Sequence, residues 1–96
     1  MSKKNKEGFE TRAIHAGQKA DPTTGAVMMP IYTSSTFEQE SPGVHKGFDY
    51  SRSINPTRKA FEECIASLEN GEVGFGFSSG VAAISACVEY LHRAIM

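Results

Sequence analysis

Hydrophobic and polar positions change their rhythm near residue 55. Over residues 11–48 the apolar side chains keep neither the 3.6-residue period of a helix nor the alternation of a strand. Gly17, Asp21-Pro22, Gly25, Pro30, Pro42, Gly43 and Gly47 interrupt this stretch repeatedly. Two short exceptions are a helical turn around residues 11–16 and an extended run over 31–37, where Pro30, Thr33 and Thr36 favour β or polyproline geometry. A segment with no apolar face of its own needs another surface to lie on, and loops this long are uncommon inside a compact domain. Residues 1–54 are therefore expected to form an extended arm that wraps a neighbouring subunit, or to be poorly ordered without one.

From residue 55 the pattern becomes regular. Asn55 suits an N-cap and Pro56 a first helical residue, since the amide that proline lacks has no intrahelical acceptor there. Phe61, Ile65 and Leu68 recur at helical spacing with Cys64 on the same flank, which leaves Lys59, Glu62, Glu63 and Glu69 to face water. Asn70-Gly71 closes this helix, with Gly71 expected in the left-handed conformation. Val73, Phe75 and Phe77 then alternate with Gly74 and Gly76, as in a short strand whose glycine side is approached closely by another backbone. Val81, Ile84, Val88, Leu91 and Ile95, with Ala82, Ala83 and Ala86 between them, predict a second helix over about 81–93. Helix, strand, Ser-Ser-Gly and helix is the opening of an α/β unit.

Composition narrows the class. Ninety-six residues allow one domain with a modest core, which excludes a large two-domain enzyme for this chain alone. Ten Lys and Arg against eleven Asp and Glu give a formal charge of -1, so nothing in the net field argues for nucleic acid or an anionic membrane, and neither is expected as a partner. Cys64 and Cys87 lie in the predicted helices without paired-ligand spacing and read as reduced, small core residues. His15, His45 and His92 show no ligand-like spacing, and no metal site is expected. The polar start, residues 1–10 with Lys3, Lys4 and Lys6, reads as neither a signal peptide nor a membrane span, which makes a cytoplasmic location the default.

Two groups of residues carry candidate chemistry. Ser78-Ser79-Gly80 stands at the predicted start of the second helix, where the first amides lack intrahelical acceptors and the helix dipole is positive, a setting that stabilises a phosphate. By itself such a triplet is more often a plain N-cap. Tyr50-Ser51-Arg52 offers a hydroxyl and a guanidinium fork, which together suit a phosphate dianion. In isolation the pair is a half-buried tyrosine and a surface arginine, and Asn55-Pro56-Thr57 is fully explained as a cap. No lysine sits in a recognisable catalytic context.

Taken with Thr11-Arg12-Ala13-Ile14-His15-Ala16-Gly17 and Pro30-Ile31-Tyr32-Thr33-Ser34-Ser35-Thr36-Phe37, these motifs resemble the N-terminal quarter of the Cys/Met-metabolism family of pyridoxal-phosphate enzymes. The likeness covers roughly residues 11–88, with the motifs in the family's order and spacing, and within the family it is strongest to cystathionine γ-synthases and γ-lyases. The implied fold is α/β. It is the start of the large aspartate-aminotransferase-like domain of fold type I, preceded by an N-terminal arm and truncated. Residues 55–96 would form its first helix, strand and helix. The implied cofactor is pyridoxal 5'-phosphate, and the implied assembly is a homo-oligomer, a dimer of dimers.

The resemblance assigns roles residue by residue. Positions matching Tyr50 and Arg52 reach across a dimer to the neighbour's cofactor phosphate. Those matching Gly80 and Val81 give backbone amides to the phosphate of their own subunit, with Ser79 beside them. Asp49 matches an acidic position at the mouth of the neighbour's site that can meet the distal ammonium of an amino-acid substrate. The Schiff-base lysine and the groups around the cofactor ring would lie beyond Met96, so no catalytic residue is assigned. Residues 91–96 depart from the family, which usually turns here through Gly-Asp, and Ile54 stands where Gly is common. A truncation, frameshift or engineered boundary would leave such an end. The implied activity is transsulfuration of the γ-synthase or γ-lyase type, with cystathionine β-lyase, methionine γ-lyase and O-acyl-homoserine sulfhydrylase as alternatives. From a different class, a non-catalytic remnant that retains the assembly arm and interferes with an intact homologue would carry the same residues.

Overall fold

The computed structural model describes residues 7–95, and the polar start with Lys3, Lys4 and Lys6 lies outside them, as does Met96. Three helices and one hairpin follow in the order α1 (Phe9–His15), β1 (Gln39–Ser41), β2 (Val44–His45), α2 (Pro56–Leu68) and α3 (Gly80–Ile95). The centre of this arrangement is α2. Its start is fixed as the sequence predicts: Asn55 is extended, and its Oδ1 accepts from the amides of Thr57 at 2.8 Å and Arg58 at 3.4 Å.

The end of α2 differs by one residue from expectation. Asn70, not Gly71, takes the left-handed conformation, with φ 56°. The Gly71 amide bonds the Ala66 carbonyl at 2.8 Å and the Asn70 amide bonds that of Ser67 at 3.2 Å, which is a Schellman ending with asparagine in the glycine's usual place. Asparagine tolerates this region better than most residues.

The packed face of α2 also differs. Ala60 and Ala66 are its buried residues, at 6% and 8% exposure, whereas Phe61 and Ile65 are exposed. Small side chains face the neighbours because the neighbours are backbones. At Gly17, φ is +78°, and a Cβ there would lie 2.6 Å from the Ala60 carbonyl oxygen. A Cβ on Gly74 would lie 2.4 Å from the Glu62 carbonyl oxygen. The predicted close approach on the glycine side of residues 73–77 is thus present, and the backbone that makes it is α2. No strand ladder forms over 73–77, since no described segment lies alongside to exchange backbone hydrogen bonds. Glu62, expected in water, is half-buried and accepts from the Gly76 amide at 2.6 Å.

Residues 9–32 find their supporting surface on α2 of the same chain. Arg12 Nη1 donates to the Ser67 carbonyl, and the Cys64 thiol lies 3.7 Å from the carbonyls of Arg12 and Ala13. Thr57 Oγ1 donates to the Pro30 carbonyl and accepts from the Tyr32 amide, both at 2.8 Å, while Asn55 Nδ2 reaches the Tyr32 carbonyl at 3.1 Å. The hairpin, which the aperiodic sequence hid, turns at Pro42-Gly43, where Gly43 has φ +82° and its amide donates to Gln39 Oε1.

The second helix forms as predicted and extends one residue earlier and two later. None of its residues is buried: Val81 is 74% exposed and Ile95 84%. Cys87, read as a core residue, is exposed because it lies on this uncovered helix, whereas Cys64 is half-buried under α1. Among the described residues no helix is long and apolar enough to cross a membrane.

Candidate functional site

The nominated residues fall into two groups, each built by identifiable local contacts. The first lies on the stretch from Asp49 to Arg52. Here the extended run does find a partner: the Phe37 amide bonds the Asp49 carbonyl at 3.1 Å, the Ser51 amide bonds that of Ser35 at 2.8 Å, and Thr36 bridges antiparallel to Tyr50. The Phe37 and Phe48 rings next to these bonds meet in a tilted contact, centroids 5.8 Å apart. Asp49 is half-buried, and its Oδ1 accepts from the Tyr50 amide at 2.8 Å, so one carboxylate oxygen is engaged locally.

Beyond Tyr50 the chain turns. Both the Ser53 and Ile54 amides bond the Tyr50 carbonyl at 3.0 Å. Ile54 creates no backbone strain there, since Asn70 is the sole non-glycine residue with positive φ among those described. The Arg52 guanidinium lies over the Tyr50 ring at 5.3 Å, a cation–π contact that leaves its N–H groups without a protein acceptor among the described residues. The pair is exposed.

The second group is the start of α3. Ser79 caps this helix: its Oγ accepts from the Ala82 amide and its carbonyl from the Ala83 amide, each at 3.1 Å. The amides of Gly80 and Val81 find no acceptor among the described residues, as expected of the first turn. Apart from its chain neighbours and its own helix backbone, nothing lies within 4 Å of where a Gly80 Cβ would stand, so the turn is open on that side. Ser79 and Gly80 rim a shallow cavity of about 360 Å³ whose floor is Phe61, Ile65, Phe75 and Phe77.

Both groups fit a phosphate monoester by their donors. One has an unengaged guanidinium beside a phenol, and the other has two unengaged amides at the positive end of a 16-residue helix, with open space on the Cβ side of Gly80. The structure brings Tyr50 together with Arg52, and Ser79 together with Gly80 and Val81. It does not join the two sets: neither the small cavity nor a cleft of about 950 Å³ between the 15–22 turn, the hairpin and α2 is lined by both.

Sequence reasoning missed the residues that hold these groups in place. Arg58 spans the 51–53 loop, with Nη1 donating to the carbonyls of Ser51 at 3.1 Å and Arg52 at 3.2 Å and Nη2 to that of Ser53 at 2.6 Å. Glu62, one turn on, holds Gly76 ahead of the Ser78-Ser79-Gly80 turn. The available signal was their i,i+4 spacing, while Glu62 by itself was expected to face water.

The comparisons with known proteins agree in one direction. A profile of the Cys/Met metabolism PLP-dependent enzyme family matches residues 10–94. A cystathionine β-lyase from Coxiella burnetii is 62% identical over 86 residues, covering 90% of this chain and 22% of that protein. A cystathionine γ-lyase from Dictyostelium discoideum is 53% identical over 92 residues, covering 95% of this chain and 24% of that protein. The crystal structure of MetB from Corynebacterium glutamicum superposes with a TM-score of 0.83 at 42% identity, over 99% of this chain and 24% of that one. The chain thus spans somewhat under a quarter of the length of these relatives.

Proposed function

The chain belongs to the Cys/Met metabolism family of PLP-dependent enzymes, and on that premise we propose that it forms the phosphate-anchoring segment of a transsulfuration enzyme acting on cystathionine or a homoserine ester. The observation that carries the proposal is the presence of two unengaged donor sets, Tyr50 with Arg52 and the Gly80 and Val81 amides, within the stretch that the family profile matches. Pyridoxal phosphate, the family's cofactor, supplies an electron sink for carbanion chemistry at an amino acid.

This chain's residues bind and orient. Arg52 would hold the phosphate through its guanidinium fork, with the Tyr50 ring against it at 5.3 Å and the Tyr50 hydroxyl as a further donor. Gly80 and Val81 present amides with Ser79 holding the helix start, and the missing Cβ of Gly80 admits the phosphate to backbone distance. Asp49 keeps one carboxylate oxygen unengaged for the distal ammonium of a substrate. On this reading each set serves a different copy's site, as in a homo-oligomer built as a dimer of dimers. Residues 1–54 would then act as the arm between neighbours, and residues 55–96 as the start of the large fold-type-I domain. Cystathionine β-lysis remains the alternative reaction, favoured by the 62% identical relative.

A chimera tests this. Residues 10–94 replace the matching segment of the Coxiella burnetii enzyme, and cofactor retention and cystathionine turnover are measured. The chimera should retain pyridoxal phosphate, and Arg52→Ala in it should weaken retention about ten- to a hundredfold, the range of a charge-assisted phosphate contact. A chimera that assembles but retains no cofactor would show that the segment is a non-catalytic remnant.

A further inference from the structure

We propose that Arg58 and Glu62 are positioning residues that hold both anion-binding groups from one face of α2. The inference rests on the phosphate-binding reading above and adds to it the side chains that set the geometry.

Arg58 Nη1 and Nη2 together satisfy three consecutive carbonyls, those of Ser51, Arg52 and Ser53. This closes the loop on which Arg52 is carried and turns its carbonyl inward, leaving its side chain outward against Tyr50. Arg58 Nε is buried without a hydrogen bond and lies 3.6 Å from Glu62 Oε2. That same Glu62 oxygen accepts from the Gly76 amide at 2.6 Å. A Cβ on Gly76 would lie 3.4 Å from both Arg58 Cγ and Glu62 Oε2, so the chain entering the Ser78-Ser79-Gly80 turn lies directly on the pair.

A surface ion pair at i,i+4 contributes little by itself. This one differs because its outer atoms are spent on backbone groups of two separate segments: the guanidinium fork on one, the carboxylate on the other. Lysine cannot replace the arginine here, because a single ammonium cannot reach three carbonyls at once while facing Glu62. It would, however, keep the methylenes that meet Gly76. The two residues should therefore be separable by substitution.

The test uses the full chain, labelled with nitrogen-15 and titrated with inorganic phosphate, reading the Arg52 Nε and the Gly80 and Val81 amide signals separately, with amide exchange measured in parallel. In Arg58→Lys, exchange at Ser53 and Ile54 should quicken about tenfold or more, as for a loop that loses its tie. Phosphate affinity read at Arg52 should fall about tenfold, while that read at Gly80 stays within about threefold. Glu62→Ala should give the opposite pattern, with faster exchange at Gly76 and the larger loss at Gly80. Glu62→Gln, whose amide carbonyl can still accept from Gly76, should restore exchange there to within about threefold.

Protection of α2 amides between 60 and 66 serves as the folding control. If it is lost in Arg58→Lys, the Glu62→Gln and Glu62→Ala comparison decides. Equal losses at both groups in every variant, or none, would overturn the proposal. Wild-type chain that shows no phosphate response at either group would sink the phosphate reading alone, and the crossed exchange pattern would then decide whether the pair positions the two segments.

Discussion

Residues 9–58 and helix α3 invert what their sequences suggest. The first region has no apolar period, yet it is tied along α2 by side chains bonding to backbone: Arg12 to Ser67, Thr57 to Pro30 and Tyr32, Asn55 to Tyr32, Arg58 to the 51–53 loop. The second has the most regular amphipathic pattern in the chain, yet it buries nothing. Periodicity reports that a helix will form and which face is apolar. It does not report what covers that face, and here no described residue does. An aperiodic segment, conversely, can be well specified when polar side chains satisfy its backbone one group at a time.

The contrast can be broken most forcefully at Gly17. Alanine there must adopt φ near +78° and press its Cβ against the Ala60 carbonyl. Left-handed geometry and overpacking together should cost about 3 kcal/mol. Denaturant unfolding followed by circular dichroism, with exchange at α1, would show the loss, and a change under about 1 kcal/mol would mean that α1 does not rest on α2 as described.

Asn55→Ala comes next. It removes the N-cap and two bonds from Nδ2, to the Tyr32 carbonyl and Ser51 Oγ, and should cost about 2 kcal/mol. Asn55→Asp sharpens the comparison: the cap survives and the Nδ2 donor is lost, so about half of that effect should remain. If aspartate proves as stable as asparagine, the tie between α2 and residue 32 carries no weight.

The smallest effect is expected on α3. Val88 is 59% exposed, and Val88→Ala should change stability by no more than about 0.5 kcal/mol. A loss near 2 kcal/mol in the isolated chain would mean that this helix packs where the structure leaves it open.

How much of this was legible depended on the range of the interaction. Asn55-Pro56 gave the helix start because a cap is local, and Gly74 gave the close backbone approach because only glycine leaves that room, whereas Gly76 meets the side chains of Arg58 and Glu62. The buried alanines of α2 were misjudged because an apolar stripe of Phe61 and Ile65 outweighs Ala60 and Ala66 on any hydrophobicity scale, although the neighbours are backbones that need small side chains. Asn70 displaced Gly71 as the helix stop because both residues tolerate the left-handed region and the choice turns on where the last turn ends. Arg58 and Glu62 were hidden for a different reason: their partners lie 5 to 14 residues away on loops whose course no local pattern gives. Of the candidate site, the sequence nominates donors, and the contacts that hold them in place come only from the structure.

The central proposal is that each phosphate is held by the Gly80 and Val81 amides of one copy and by Tyr50 and Arg52 of another. It is tested most directly by mixing subunits of the chimeric enzyme, one carrying Arg52→Ala and the other lacking the Schiff-base lysine contributed by the Coxiella burnetii portion. Each hybrid dimer then holds one site with both defects and one with neither. Cystathionine turnover should return when verified hybrids form, to about half the unsubstituted activity per dimer if the sites are independent. Hybrids that stay inactive would place Tyr50 and Arg52 in their own subunit's site and contradict the account.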